Sequence, residues 1–208
     1  MDGIVWRQID YDTNKMIKCV KGEGLNGYLE VKANGKVLSF KENNKEDFVG
    51  LLCAVIARKI DKLAQGQYSL VPVPNSGATV AIGGDFRTLQ IATRIAGLTA
   101  VKGQVVPTLR WKTAMLSSRK GGSRDPQILC DNLAFTERPR YPAILLDDVM
   151  TTGAHMIACQ RKLMASGITP EHAISVGRAT SEQKVKPIGW SKELVQVSAD
   201  DTAWDIDF

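Results

Sequence analysis

The sequence predicts an α/β fold with a doubly wound parallel sheet, carrying an N-terminal β-hairpin addition. Three observations lead there. From Tyr68 onward, short apolar runs alternate with amphipathic helical segments, which is the order of βαβ units. The run from Tyr141 to Asp147 is apolar on consecutive residues, as expected of a strand covered on both faces. At 208 residues and 22.7 kDa, the chain is long enough to bury a core without disulfide or metal staples.

Composition narrows the class. The hydrophobic share of 44% and the charged share of 24% are ordinary for a globular chain and argue against disorder, collagen and mucin. The apolar run Phe48 to Ala57 is shorter than the ~20 residues a bilayer needs. The N-terminus lacks a basic region followed by a long apolar one, so a cytoplasmic location and no membrane partner are expected. Cys19, Cys53, Cys130 and Cys159 show no C-x-x-C spacing, and His155 and His172 are the only histidines. This argues against a structural zinc site and a disulfide framework. The net charge of +5 suits an anionic partner, whether nucleic acid or a phosphorylated small molecule.

In chain order, Tyr28 to Ala33 alternates polar and apolar residues, Asn34-Gly35 offers a type I′ turn, and Lys36 to Phe40 returns as a hairpin. Lys15 to Lys21 is expected to add a third strand. Asn44 reads as an N-cap for a helix with Phe48, Leu52, Val55, Ile56, Ile60 and Leu63 on one face, closed at Gly66. Tyr68 to Pro74 reads as a strand, Asp85 to Ala96 as a helix, and Gln104 to Leu109 as a weaker strand. Tyr141 to Asp147 is the buried strand, with a helix from about Gly153 to Ser166 and a strand from His172 to Gly177 after it. Lys112 to Pro126 is polar, basic and glycine-bearing, a long loop of the sort that carries function. One domain is expected, divided into a β-rich addition (1–45), an α/β core (46–180) and a C-terminal extension (181–208).

Two motif matches fail on context. Gly22-Glu-Gly-Leu-Asn-Gly27 has the G-x-G-x-x-G spacing, but a hairpin follows it where a helix should open. Ser117-Ser-Arg-Lys120 matches S-x-x-K without its partner motifs.

One segment survives: Ala143-Ile-Leu-Leu-Asp-Asp-Val-Met-Thr-Thr-Gly-Ala-His155. A buried strand runs into two adjacent carboxylates, then a short loop enters a helix. Ligands of open parallel sheets bind beyond the carboxyl ends of strands. Thr151 to His155 would offer successive N–H groups at a helix N-terminus, a phosphate cradle that Gly153 lets the ligand approach. Carboxylates beside such a cradle suit a sugar phosphate.

This segment resembles the phosphoribosyl-pyrophosphate (PRPP) signature of type I phosphoribosyltransferases. A weaker resemblance to the ComF, amidophosphoribosyltransferase-like branch rests on Leu70 to Pro74, the helix with Arg87 and Arg94, Asn132 to Phe135, and Arg178 to Thr180. The resemblance implies transfer of a 5-phosphoribosyl group to a nitrogen acceptor, a nucleobase or an amine, with release of pyrophosphate. It implies that Asp147 and Asp148 bind the ribose hydroxyls. Val149, Met150, Thr151, Thr152, Gly153, Ala154 and His155 would then line the 5′-phosphate site. Asn75, Ser76 and Gly77 would form the pyrophosphate loop, which in this family often carries a non-proline cis peptide. Arg119, Lys120 and Arg124 would sit on a flexible loop that closes over pyrophosphate and supplies catalytic charge. Mg2+ would bind through substrate and water near Asp147 and Asp148 rather than by direct protein ligation, and a homodimer would fit the family.

Two departures stand out. His155 occupies a position that is usually Thr or Ser, and the pyrophosphate loop has no Lys or Arg. A non-catalytic PRPP sensor, or a nucleic-acid-associated, competence-like factor on the same fold, is therefore the alternative reading. Trp111, Trp190, Trp204 and Tyr28 are candidates for stacking on a base, though each is more readily a packing residue.

Overall fold

The computed structural model describes residues 6–33, 35–116, 121–180, 182–184, 187–195 and 204–207. The chain opens with helix α1 (Gln8–Val20), not with a strand over Lys15–Lys21. Asp10 explains the start: its carboxylate accepts the Arg7 N–H at 2.9 Å and the Arg7 guanidinium at 2.8 and 3.0 Å. Met16, Ile17, Cys19 and Val20 then face the core at helical spacing. Read alone, Met16 to Val20 is a short apolar run that suits either element; the upstream cap decides it.

The hairpin forms as expected, with β1 (Leu29–Ala33) antiparallel to β2 (Lys36–Phe40). Gly35 takes φ +75°, while Asn34 lies outside the described residues. A 3₁₀ turn (Glu42–Asn44) leads into α2 (Lys45–Leu63). Asn44 does sit at the N-cap, but its side chain accepts from the Lys41 N–H behind it rather than from the helix.

The core follows as β3 (Tyr68–Pro72), α3 (Arg87–Ala96), β4 (Gly103–Val105), β5 (Leu109–Trp111), α4 (Pro126–Asn132), β6 (Leu133–Phe135), β7 (Ala143–Met150), α5 (Ala154–Ala165) and β8 (His172–Arg178). The main sheet has the order β4-β3-β7-β8-β10-β9. Its last two strands, β9 (Lys192–Val195) and β10 (Trp204–Asp207), come from the C-terminal stretch. β10 runs parallel to β8, and β9 is antiparallel to β10. β5 and β6 form a separate antiparallel pair. Helices cover both faces, so the doubly wound parallel architecture is observed.

Alternation along the strands sorts the core into two layers. Leu70, Ile144, Leu146 and Ile174 face α1, α2 and α3. Val71, Val73, Leu145 and Ala173 face α4 and α5. Strand order reverses between β3 and β7, which puts the ligand crevice of an open α/β sheet at their carboxyl ends.

Arg87 and Arg94 hold the first layer together. The Arg87 Nε donates to the Val20 carbonyl at 2.8 Å and Nη2 to the Cys19 carbonyl at 3.0 Å, which caps the end of α1. Its guanidinium also pairs with Glu46 of α2 at 3.0 Å. Arg94 donates to the Glu46 carbonyl at 2.8 Å. Both arginines are therefore committed to packing three helices. Arg87→Ala should lower unfolding free energy by about 2 kcal/mol, the scale of orphaning partly buried acceptors that had a charged donor; urea denaturation at pH 7 measures it.

Candidate functional site

β7 carries its carboxylates to the crevice. Asp147 is 8% exposed and pairs in register with Ser175 of β8. Asp148 is half-buried beside it. Each carboxylate folds back on the following amide: Asp147 Oδ1 accepts the Asp148 N–H at 2.9 Å, and Asp148 Oδ1 accepts the Val149 N–H at 2.7 Å. Burial pushes the Asp147 carboxyl well above the usual carboxylate range, and the charge of Asp148 adds to the shift.

Beyond Met150 the chain turns through Thr151, Thr152 and Gly153 into α5. Gly153 sits at the N-cap with φ +87°, a left-handed conformation that suits glycine. The Met150 N–H is taken by Ser175 Oγ at 3.1 Å, and the Ala154 N–H faces Thr152 Oγ1 at 3.4 Å. No acceptor among the described residues takes the N–H of Thr151, Thr152, Gly153 or His155. Thr151 and Thr152 are exposed, while Gly153 is buried and His155 half-buried, so the donors gather at a helix N-terminus that opens on its Thr151–Thr152 side.

Residues Asn75 to Gly77 follow β3 directly, next to β7 across the reversal point, where the Val73 N–H donates to the Leu146 carbonyl at 2.8 Å. Asn75 and Gly77 are exposed. All described peptide bonds are trans, so the cis peptide implied for this loop is not found. The loop is held from below. Trp111 Nε1 donates to the Asn75 carbonyl at 2.7 Å, and the Met115 N–H donates to the Ser76 carbonyl at 3.1 Å.

Trp111 is fully buried and cannot stack on a ligand. It meets the His155 ring edge-on, with centroids 5.6 Å apart, so one indole spaces the two loops. Burial holds the His155 imidazole below its ordinary pKa, against the pull of Asp148. Asn132 clamps the stem of the basic loop. Its side-chain oxygen accepts from the Thr113 N–H and hydroxyl at 3.1 and 3.0 Å, and its amide donates to the Thr113 carbonyl at 2.9 Å.

Arg124 is exposed and Gly121 takes φ +82°. Arg119 and Lys120, like the S-x-x-K match, lie outside the described residues. Trp190 is 40% exposed with Lys59 over its ring, and Tyr28 is 55% exposed beneath Lys15. The Trp204 side chain is outside the described residues. The structure thus brings Asp147, Asp148, the 151–155 turn and the 75–77 loop to one end of the sheet. The sequence does not single out Ser175 or the spacer role of Trp111, and it brings in Asn132 only as the start of the Asn132–Phe135 resemblance; the contacts of all three are long-range.

No family profile matches the chain, and no curated protein matches it. Solved structures do. A hypoxanthine phosphoribosyltransferase from Staphylococcus aureus aligns at 7% identity and TM-score 0.40, over 67% of this chain and 71% of that one. A hypoxanthine-guanine phosphoribosyltransferase from Bacillus anthracis aligns at 8% and 0.42, over 68% and 75%. UMP synthase from Leishmania donovani aligns at 11% and 0.40, over 81% of this chain and 31% of that one. Likeness of this size carries no weight for chemistry, and the site rests on its own geometry.

Asp147 makes stability depend on pH. Its folded pKa lies above the unfolded value of about 3.9, so its contribution is full below that value and is lost as pH rises through the folded pKa. Asp147→Asn should therefore be more stable than the parent at pH 7, with the gap closing toward pH 4. Denaturation midpoints across that range test this; a constant gap would refute it.

Proposed function

We propose that this protein is a type I phosphoribosyltransferase that binds PRPP and transfers its 5-phosphoribosyl group to a nitrogen acceptor, a nucleobase or an amine. The observation that carries this reading is the run of unengaged N–H donors at Thr151, Thr152, Gly153 and His155, one turn from the Asp147–Asp148 pair. A ligand with a terminal phosphate and a vicinal diol satisfies both halves at once. The amides and helix dipole take the phosphate, and the carboxylates accept the ribose hydroxyls, which offsets part of their desolvation. The ComF-like branch rests on the sequence resemblance alone.

In the reaction, the acceptor nitrogen forms a bond to the ribose anomeric carbon as the bond to pyrophosphate oxygen breaks. The electron pair leaves with pyrophosphate, and the acceptor's proton passes to solvent or a base. The transition state is oxocarbenium-like, so the chain's task is to hold ribose phosphate rigid and to stabilise the leaving group.

Asp147 and Asp148 offer the hard oxygens Mg2+ favours. On this reading Asp147 and Asp148 would hold the ion with substrate and water; among the described residues no group of three or more acidic, His or Cys side chains is placed to hold a metal. Bound there, it would supply charge neutralisation for pyrophosphate. Arg119, Lys120 and Arg124 are the chain's own candidates for the same duty, with Gly121-Gly122 as the hinge.

The sensor reading remains the second one, because the Asn75–Gly77 loop carries no cation. Incubation with PRPP, Mg2+ and a panel of bases and amines separates the two. Pyrophosphate release with one acceptor supports the transferase, whereas tight PRPP binding without release under any acceptor supports the sensor. If the transferase reading holds, replacing Arg119, Lys120 and Arg124 together with Ser should reduce turnover by about 100-fold or more, on the scale of lost transition-state charge stabilisation. Unchanged turnover would reject the loop's role.

A further inference from the structure

The N-terminal helix reaches the same crevice from the other side of the sheet. Ile17 of α1 packs at the carboxyl ends of β7 and β8: a methyl placed on Gly177 would lie 2.5 Å from Ile17 Cδ1 and 3.6 Å from Val149 Cγ2. Lys21 is one helical turn further on and still helical in conformation, with φ −71° and ψ −5°. It therefore shares the face of Ile17, which packs against the strand that carries the carboxylates. The Lys21 side chain belongs to a half-buried residue, and its ammonium makes no ion pair or hydrogen bond among the described residues. Its field nonetheless favours the charged form of Asp147.

Lys21 is also held in place deliberately. Arg87 binds the Cys19 and Val20 carbonyls immediately before it and is itself anchored on Glu46. That guanidinium offsets the negative end of the α1 dipole immediately before Lys21.

The two positive features therefore stand on opposite sides of the carboxylate pair. The α5 amides belong to the layer on one sheet face, and α1 belongs to the other. A ligand with its diol on Asp147 and Asp148 and its 5′-phosphate on α5 would direct its second anionic group toward α1. We propose that Lys21 is a substrate-binding residue that contacts the pyrophosphate group of PRPP, supplying the cation that the Asn75–Gly77 loop lacks. This rests on the PRPP reading of the site. It makes the N-terminal helix part of the binding machinery rather than an appendage.

The test is calorimetric titration of PRPP and, separately, ribose 5-phosphate, each with Mg2+, into the full chain and its Lys21→Met and Lys21→Arg variants. Unfolding midpoints, expected to match the parent's, control for structure. Lys21→Met should weaken PRPP binding by about tenfold or more, the scale of one lost charge-assisted contact. It should change ribose 5-phosphate binding much less, and Lys21→Arg should restore much of the PRPP affinity. Equal losses for both ligands would overturn the assignment to pyrophosphate, and unchanged PRPP affinity in Lys21→Met would overturn any contact. If the parent chain binds neither ligand, the PRPP reading itself falls and takes this inference with it, an outcome distinct from the other two.

Discussion

Two adjacent carboxylates end a buried strand at the point where the sheet reverses direction, and most of the surrounding architecture answers to them. Their desolvation is unfavourable by several kcal/mol unless offset. The offsets within the chain are partial: one following amide for each, and the field of a lysine that does not touch them. A carboxyl left so far above its ordinary pKa is a poor device for stability and a good one for gripping hydroxyls or a hydrated cation.

The N–H groups of the turn before α5 are left unengaged by the same economy of donors. Ser175 takes the Met150 N–H and donates onward to the Gly177 carbonyl at 2.8 Å, so the last strand amide is satisfied while those after it stay free. Gly153 then turns the chain left-handed into α5, and the N–H groups of Thr151, Thr152, Gly153 and His155 find no acceptor among the described residues. Trp111 fixes how far this turn lies from the loop after β3, because its indole bonds one and packs against the imidazole of the other. The two loops at this end of the sheet thus share a rigid spacer.

The periphery is tied to this centre more closely than its sequence suggests. α1 lies against β7 and β8, and Gln183 donates to Asp10 at 2.6 Å, so the segment after β8 returns to brace the helix that leads to Lys21. The Arg7–Gln183 pairing around Asp10 holds its carboxyl well below the usual range. No helix among the described residues is long and apolar enough to cross a membrane.

Local pattern determined much of this protein on its own. Consecutive apolar residues in 143–146, the hairpin turn at Gly35 and the apolar stripe of α2 each specify an element within a window of a few residues, and the Asp-Asp-x-x-Thr-Thr-Gly run specifies a strand end, a turn and a helix start in order. Elements whose identity depends on distant partners were not legible. α1 was misread because its apolar stretch is ambiguous without the Arg7–Asp10 cap, and β9 and β10 are strands only because β8 offers an unpaired edge. Only the tertiary structure decided that Arg87 caps the end of α1, that Trp111 is a buried spacer rather than a stacking platform, and that the N-terminal helix packs against the strands that carry the carboxylates. Each of these depends on contacts between residues far apart in sequence, and no local periodicity encodes which distant backbone a side chain will meet.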